Sequence, residues 1–288
     1  MFIIPLPNIG LSCFANSSLQ CIWNCKLIQE FIETHTHMSV TCKCISDTMN
    51  NRNNKIRKLI EHIQIPLNTE FDAGEFLMIL FDKIITETKC KYKQSKSLLN
   101  IPDNIKDQAI QNHKIHWSDN DYSKIVDIIF GQQYTLYQHN ECEYNSVNIS
   151  YFNQLVLHSH SKYCNITDML KQLLKDEILD TSCSICTNMK SSQYISIWPQ
   201  ILVFNINSRN AIKKLNKNLI VDNIPYTLNS VICYQGSNNS GHYYAIIHSN
   251  GKWIECNDTH INNTSCPTDT CIKDYYITIY TTTQNNIK

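Results

Sequence analysis

The sequence lacks both an excess of charge of either sign and a long hydrophobic run. Its 288 residues include 25 basic and 25 acidic side chains, and this neutral balance argues against nucleic acid as the main partner. No apolar run approaches the roughly 18 residues that a transmembrane helix needs, so we expect neither a membrane span nor a membrane partner. Glycine is scarce, with six in the chain, so we expect each to occupy a position that needs its backbone freedom.

A secretory signal is also lacking. The apolar segment from Met1 to Leu6 is too short for a signal peptide and has no basic residues before it. The fourteen cysteines are therefore interpreted as reduced thiols and metal ligands, not as a disulfide framework. We expect a monomeric, cytoplasmic protein that is not secreted, with the nucleus as an alternative location. The length suits one large domain or two small ones.

Cys13 is the first candidate for chemistry. Pro7 and Gly10 break regular structure before it, and apolar residues at helical spacing follow it as far as Leu27. Cys13 would then lie in the first turn of a helix, where the macrodipole and free N–H groups favour a thiolate over a thiol. Asn8, on the incoming loop, can aim its amide N–H at an oxyanion that forms on an attacked carbonyl. Taken alone, one cysteine among fourteen is more often a small buried hydrophobe.

A histidine that matches Cys13 lies far downstream. His242 begins a strand pattern, and the Asn-Gly pair at 250–251 between two such patterns is the strongest short hairpin signal. A two-residue loop there would place His242 opposite Thr259, with Asn257 diagonal to His242 on the same face. In that geometry an amide can hold an imidazole in the tautomer that a cysteine nucleophile needs.

Several segments of the chain resemble the ubiquitin-specific protease family of deubiquitinating cysteine proteases. Residues 241–243 (Gly-His-Tyr) and 253–258 (Trp-x-x-x-Asn-Asp) resemble the family's histidine box, and residues 72–77 (Asp-Ala-Gly-Glu-Phe-Leu) resemble its second box. The residues that match the signature positions of the cysteine box are Asn8, Gly10, Cys13, Asn16, Ser17, Leu19 and Gln20.

The resemblance implies an α+β, papain-like cysteine protease fold in a single catalytic domain over residues 1–288. The implied subdomains are a helical thumb over about 1–128, β-rich fingers over about 129–197 and a palm over about 198–288. The implied activity is thiol-dependent hydrolysis of the isopeptide or peptide bond after the C-terminal glycine of ubiquitin, without a catalytic cofactor. The implied partners are ubiquitin and ubiquitinated proteins.

The resemblance also implies a role for each site residue. Cys13 would be the nucleophile, His242 the acid and base, Asn257 the group that orients His242, and Asn8 the oxyanion donor, with Asp258 as a second polar candidate. The implied substrate-binding residues are Asp72, Glu75, Gly241 and Tyr243. Two alternatives stay open: a ubiquitin-binding pseudoenzyme, and a protease for another ubiquitin-like modifier that ends in Gly-Gly.

The two carboxylates of the second box suit a groove for a basic, glycine-terminated tail. An alternative is that Asp72 and Glu75 are simply the acidic first-turn residues of a helix, for which we expect Asn68 or Thr69 as the N-cap.

A structural zinc ion is the one expected cofactor. Its predicted ligands are His139, Cys142, Cys183 and Cys186, a Cys₃His set suited to tetrahedral zinc. The alternative is a degenerate site that has lost its metal, because His139 stands where family members have a cysteine. A second, less favoured cluster comprises two histidines and two cysteines between His35 and Cys44, in a predicted loop.

The sequence pattern predicts helices over 13–35 and 166–179 and a strand over 151–158. The near-continuous apolar run at 201–204 suits a strand that is covered on both faces. Residues 275–280 resemble the closing strand of the family.

Overall fold

The computed structural model describes ten stretches of the chain. They are residues 3–50, 55–92, 104–119, 122–139, 145–158, 165–181, 188–206, 215–236, 240–268 and 274–283. Three predicted zinc ligands, Cys142, Cys183 and Cys186, lie outside them.

Helices fill most of the first half of the described chain and strands most of the second. The helices are α1 (Cys13–Asn24), α2 (Lys26–Thr34), α3 (Val40–Met49), α4 (Ile56–His62), α5 (Ala73–Glu87), α6 (Ile105–Asp119), α7 (Val126–Ile129) and α8 (Ile166–Leu173). The strands are β1 (Gly131–His139), β2 (Asn145–Phe152), β3 (Leu155–Leu157), β4 (Glu177–Leu179), β5 (Met189–Ile197), β6 (Ile201–Ile206), β7 (Asn218–Val221), β8 (Ile224–Gly236), β9 (Gly241–Ser249), β10 (Lys252–Asn257), β11 (His260–Thr264) and β12 (Tyr275–Thr281). Within the described residues, no helix is both long and apolar enough to cross a bilayer.

Helix α1 lies at the centre of the molecule and begins at Cys13, as predicted. Every residue from Cys13 to Trp23 is buried, because α1 packs against helices on one side and strands β8, β9 and β10 on the other. The single helix predicted over 13–35 is wrong in one respect. Cys25 adopts an extended conformation (φ −81°, ψ 103°) and separates α1 from α2.

The N-cap predicted for α5 is wrong. Asp72 caps this helix, and its Oδ1 accepts hydrogen bonds from the backbone N–H groups of Gly74 (2.7 Å) and Glu75 (3.0 Å). Asn68 has a positive φ of 62° and stands four residues before the cap, in the preceding turn. A carboxylate at the N-cap also interacts favourably with the helix dipole.

The second predicted metal cluster is also not formed. Residues 40–49 are helix α3, not a loop, and the thiols of Cys42 and Cys44 are buried in the core. Burial raises the pKa of Cys42 to about 11, which disfavours the thiolate that binds zinc. His35 stacks on Phe31, with ring centroids 4.0 Å apart.

The smaller sheet has the strand order β2-β1-β5-β4 and is antiparallel. Its strand β4 occupies 177–179, where helix was predicted, because α8 ends at Leu173 and the chain then pairs with β5. At one end of the sheet His139 pairs with Met189. The last residue of β1 and the first residue of β5 therefore lie side by side.

The larger sheet has the order β11-β10-β9-β8-β12-β6-β3, with β7 paired to β8. The strand predicted over 151–158 is divided between β2 and β3, and β3 pairs in parallel with β6. Residues 155–157 were assigned to the fingers, yet they belong to the sheet that holds the predicted palm strands. The other subdomain boundaries stay predictions.

The two faces of the larger sheet bury separate clusters of apolar side chains. One face packs on the N-terminal helices through Ile232, Ala245 and Ile247. The other face carries Phe204 and Tyr280 in the second cluster, with α8. The predicted strands at 201–204 and 275–280 are confirmed as β6 and β12, which are neighbours in the sheet.

The Asn-Gly hairpin is confirmed. Asn250 (φ 50°) and Gly251 (φ 76°) both have the positive φ of a type I′ turn, and Ser249 pairs with Lys252. The strand pairing predicted from this turn does not extend as far as His242. Pairing between β9 and β10 stops at Ala245–Cys256, because the chain turns at 258–259 into β11. His242 therefore does not face Thr259.

Candidate active site

The loop before α1 holds Asn8 next to the start of the helix. Asn8 Oδ1 accepts a hydrogen bond from the backbone N–H of Ser12 (2.9 Å), and the Ser12 hydroxyl accepts one from the N–H of Ile9 (3.0 Å). Gly10 has a φ of 75°, and a Cβ at this position would lie 2.1 Å from the side-chain oxygen of Asn68. Glycine is required here for both reasons.

His242 lies between Cys13 and Asn257. Its Nε2 is 2.7 Å from Asn257 Oδ1, so this nitrogen carries the proton and donates to the amide oxygen. The remaining ring nitrogen, Nδ1, is then the one available for the hydrogen bond between His242 and Cys13. The structure thus brings together three residues that the sequence placed in one site.

The electrostatics of this site favour a protonated imidazole. The hydrogen bond to Cys13 raises the pKa of His242 to about 9, with burial opposing the shift and Asn257 and the charge of Asp258 adding to it. The Cys13 side chain is buried, whereas 37% of the His242 side chain is exposed. A thiolate paired with an imidazolium is the chemically active form of a cysteine nucleophile.

Asp258 joins three parts of the site. One carboxylate oxygen accepts a hydrogen bond from Asn8 Nδ2 (3.0 Å), and the other accepts one from Asn16 Nδ2 (2.7 Å). Its backbone carbonyl accepts the N–H of Leu6 (3.0 Å). The carboxylate is 3.9 Å from His242 Nε2, which is beyond hydrogen-bond distance. Asn257 therefore contacts His242 directly, and Asp258 contacts the two amides near Cys13.

A channel of about 220 Å³ leads to Cys13. On one side it is bordered by the segment before α5, and on the other by strands β8, β9 and β12. Its lining residues are Leu11, Cys13, Phe14, Glu70, Phe71, Asp72, Tyr234, Gly241, Tyr243 and Tyr276. A Cβ on Gly241 would lie 2.3 Å from the hydroxyl of Tyr234, so only glycine leaves this wall its present shape.

A larger cleft of about 600 Å³ lies beyond the channel, between α5 and strands β2 and β3. Glu75 borders this cleft and not the channel, whereas Asp72 borders both. Three of the four predicted substrate-binding residues thus line the channel, and the fourth, Glu75, lines only the cleft.

Two residues of the site had no role assigned from the sequence. Asn16 occupies a signature position of the cysteine box, and its partner Asp258 is 242 residues away along the chain. Tyr276 borders both cavities and donates a hydrogen bond to Asp72. On β12 the side chain of Tyr275 is buried and that of Tyr276 is partly exposed. This pattern on one strand cannot reveal that Asp72 is the partner of Tyr276.

The zinc prediction stays a prediction, because of its four residues only His139 is described. No group of three or more His, Cys, Asp or Glu side chains arranged to hold a metal is found within the described stretches. The pairing of His139 with Met189 does place the ends of β1 and β5 side by side, as a site shared by the two adjoining segments requires.

Comparison with known families identifies the chain. The family model described as ubiquitin carboxyl-terminal hydrolase matches residues 5–280. The chain belongs to the ubiquitin carboxyl-terminal hydrolase family.

Two curated relatives have low sequence identity to this chain. Ubiquitin carboxyl-terminal hydrolase Usp2 of Drosophila melanogaster is 24% identical, with 96% of this chain and 34% of the fly protein covered. Ubiquitin carboxyl-terminal hydrolase 17-like protein B of Mus musculus is 20% identical, with 98% of this chain and 64% of the mouse protein covered. The chain therefore spans less than two thirds of either relative.

Solved structures show the same fold. The yeast SAGA DUBm structure matches with a TM-score of 0.75 and 20% identity over 98% of this chain and 69% of that chain. The SAGA Ubp8/Sgf11/Sus1/Sgf73 DUB module bound to ubiquitin aldehyde matches with a TM-score of 0.72 and 17% identity over 98% and 70%. The predicted α+β, papain-like fold is confirmed.

The origin of the raised His242 pKa is testable by NMR titration of the imidazole. We expect a pKa of about 9 in the wild-type protein. Because the hydrogen bond to Cys13 is the largest cause, Cys13→Ala should move the pKa down toward about 6.5, the value of a free imidazole. The variant would then lose its imidazolium at a lower pH than the wild-type protein, which holds the proton up to about pH 9. Cys90→Ser, which changes an exposed thiol, should leave the titration unchanged, and an unchanged pKa in Cys13→Ala would contradict the pairing.

Proposed function

We propose that this chain is a thiol-dependent deubiquitinase that hydrolyses the bond after the C-terminal glycine of ubiquitin. The observation that carries the proposal is that His242, which is held by Asn257 through a 2.7 Å hydrogen bond, interacts with Cys13 in a channel that adjoins an acidic cleft. Membership of the family supports it, as does the ubiquitin aldehyde bound to the similar Ubp8 module. The pseudoenzyme alternative loses support, because Cys13, His242 and Asn257 are all chemically competent and in contact.

The proposed reaction uses Cys13 as nucleophile. Its thiolate attacks the carbonyl of the terminal glycine, and the imidazolium of His242 then protonates the leaving amine. His242 next takes a proton from water, which attacks the thioester and releases ubiquitin. Asn257 accepts the Nε2–H of His242 throughout and so keeps Nδ1 directed at the sulfur and the leaving group.

Asn8 is the proposed oxyanion donor, together with the backbone N–H of Cys13. The Asn8 amide nitrogen has two hydrogens, and the hydrogen bond to Asp258 uses one of them. The second remains for an oxyanion, and one such side-chain donor contributes about 3 kcal/mol to transition-state stabilisation. Asp258 is then a positioning residue that acts through Asn8, not the group that orients His242.

The charge of the cavities supports a basic tail as substrate. The cleft has Glu75 and Asp82 along α5, Asp72 where it meets the channel, and Glu70 lies in the channel. Among the described residues that line the two cavities there is no lysine or arginine. Carboxylates without basic neighbours favour a cationic peptide, and the tight wall at Gly241 favours small residues next to the scissile bond.

Zinc is proposed as a structural cofactor. His139, Cys142, Cys183 and Cys186 would hold it, and the adjacent ends of β1 and β5 support a shared site. The donor set of three thiolates and one imidazole suits tetrahedral zinc. Bound there, the metal would tie together two segments of the smaller sheet and stabilise the fold without taking part in the reaction.

The nucleophile is tested by covalent capture. Ubiquitin with a C-terminal thiol-reactive group should form one adduct, on Cys13, as read by peptide mass spectrometry. Cys13→Ser should abolish the adduct, while Cys90→Ser, at an exposed thiol, should retain it. An adduct on another cysteine, or none on folded protein, would overturn the assignment. A parallel panel of other Gly-Gly modifiers with the same reactive group separates ubiquitin from its relatives as substrate.

The zinc proposal is tested by elemental analysis of purified protein, which should give about one zinc per chain. Cys183→Ser should lower the metal content and the melting temperature, because it removes one of four ligands, whereas Cys90→Ser should change neither. A stable, folded wild-type protein without zinc would contradict the proposal. Two zinc ions per chain would show that the predicted set is not the only site.

A further inference from the structure

The channel beside Cys13 and the acidic cleft are bordered in common by two residues, Asp72 and Tyr276. Asp72 stands at the start of α5, and Tyr276 lies on β12 in the larger sheet. A peptide tail that enters from the cleft and reaches Cys13 must therefore pass the point where these two side chains meet.

Hydrogen bonds join Asp72 to two tyrosines of the sheet at this point. Asp72 Oδ2 accepts the hydroxyl of Tyr243 (3.2 Å) and also the hydroxyl of Tyr276. The rings of Tyr234, Tyr243 and Tyr276 pack against one another on the sheet side, with centroids between 4.7 and 6.3 Å apart. The contact thus joins the helical side of the path to the sheet side.

The carboxylate of Asp72 has no acceptor site left for a substrate. Its Oδ1 accepts the backbone N–H groups of Gly74 and Glu75, and its Oδ2 accepts the two tyrosine hydroxyls. A carboxylate offers about four lone-pair sites, and these four donors fill them. Because the N-cap bonds fix the carboxylate at the start of α5, a tail can bind Asp72 only if a tyrosine hydroxyl leaves Oδ2.

We propose that the hydrogen bonds from Tyr243 and Tyr276 to Asp72 form a latch that closes the path between cleft and channel until a substrate tail replaces them. The inference rests on the proposed function, since it concerns the tail that enters the same site. Main-chain N–H groups or cationic side chains of the tail are the donors that take over Oδ2.

Removal of one tyrosine hydroxyl tests the latch. Tyr276→Phe keeps the ring and removes one donor, so the open form becomes more populated and the tail binds without first displacing that bond. The second-order rate of Cys13 capture by a ubiquitin probe with a C-terminal electrophile should rise by about tenfold, the factor that corresponds to one hydrogen bond to a charged group.

Two controls locate the effect. Tyr280→Phe removes a hydroxyl from the same strand that donates to the Asn216 carbonyl, away from the channel, and should not raise the rate. Alkylation of Cys13 by iodoacetamide, which has no tail, should proceed equally in Tyr276→Phe and wild type. An equal rise with iodoacetamide would place the effect at the thiol and overturn the latch.

An unchanged or slower capture by Tyr276→Phe would also overturn the latch, since the hydroxyls would then hold Asp72 in its binding position. Should Tyr276→Phe fail to fold, Tyr243→Phe carries the same test, because its hydroxyl donates to the same oxygen. Failure of the wild-type protein to react with the ubiquitin probe is a different outcome. It would refute the proposed function, and the latch with it.

Discussion

The carboxylate of Asp258 is the contact on which the assembly of the site depends. It binds Asn8 before α1 and Asn16 within α1, which lie 250 and 242 residues away along the chain. Asp258 adopts a positive φ of 51° at the turn that ends β10, and this turn also presents Asn257 to His242. One tight turn therefore fixes both halves of the site relative to each other, and a charged acceptor shared by two amides makes that junction stronger than neutral hydrogen bonds would.

The packing of α1 keeps the hydrogen bonds between Asp258 and the two asparagines in place. The helix is buried along its length between other helices and the larger sheet, so Cys13 cannot move independently of the strands that hold His242 and Asn257. Asp72 connects helix α5 to the larger sheet in the same way. One of its carboxylate oxygens caps α5, and the other accepts hydrogen bonds from Tyr243 and Tyr276 of the sheet. Cys13, the proposed nucleophile, is thus fixed by the core, and hydrogen bonds from Tyr243 and Tyr276 to Asp72 form the proposed latch on the path that leads to it.

Local patterns were sufficient to predict the elements that carry Cys13 and His242. The helix that starts at Cys13 and the 250–251 hairpin follow from apolar spacing and turn chemistry, which act over a few residues. The break at Cys25 and strand β4 could not be predicted, because neither has a glycine or proline to mark it and β4 depends on pairing with β5. The contacts of Asp258 could not be predicted either, because its partners Asn8 and Asn16 lie at the other end of the chain.

The central claim is that Asp258 acts through Asn8, while Asn257 acts through His242. A double-mutant cycle tests it with single-turnover hydrolysis of a ubiquitin C-terminal fluorogenic amide by wild type, Asn8→Ala, Asp258→Ala and the double variant. The account predicts coupling: once Asn8 is removed, Asp258→Ala should slow the reaction much less than it does in the wild-type protein, because the amide that it positions is absent and only its contact with Asn16 is lost. Free-energy losses that simply add would show that Asp258 acts independently of Asn8, and would contradict the account.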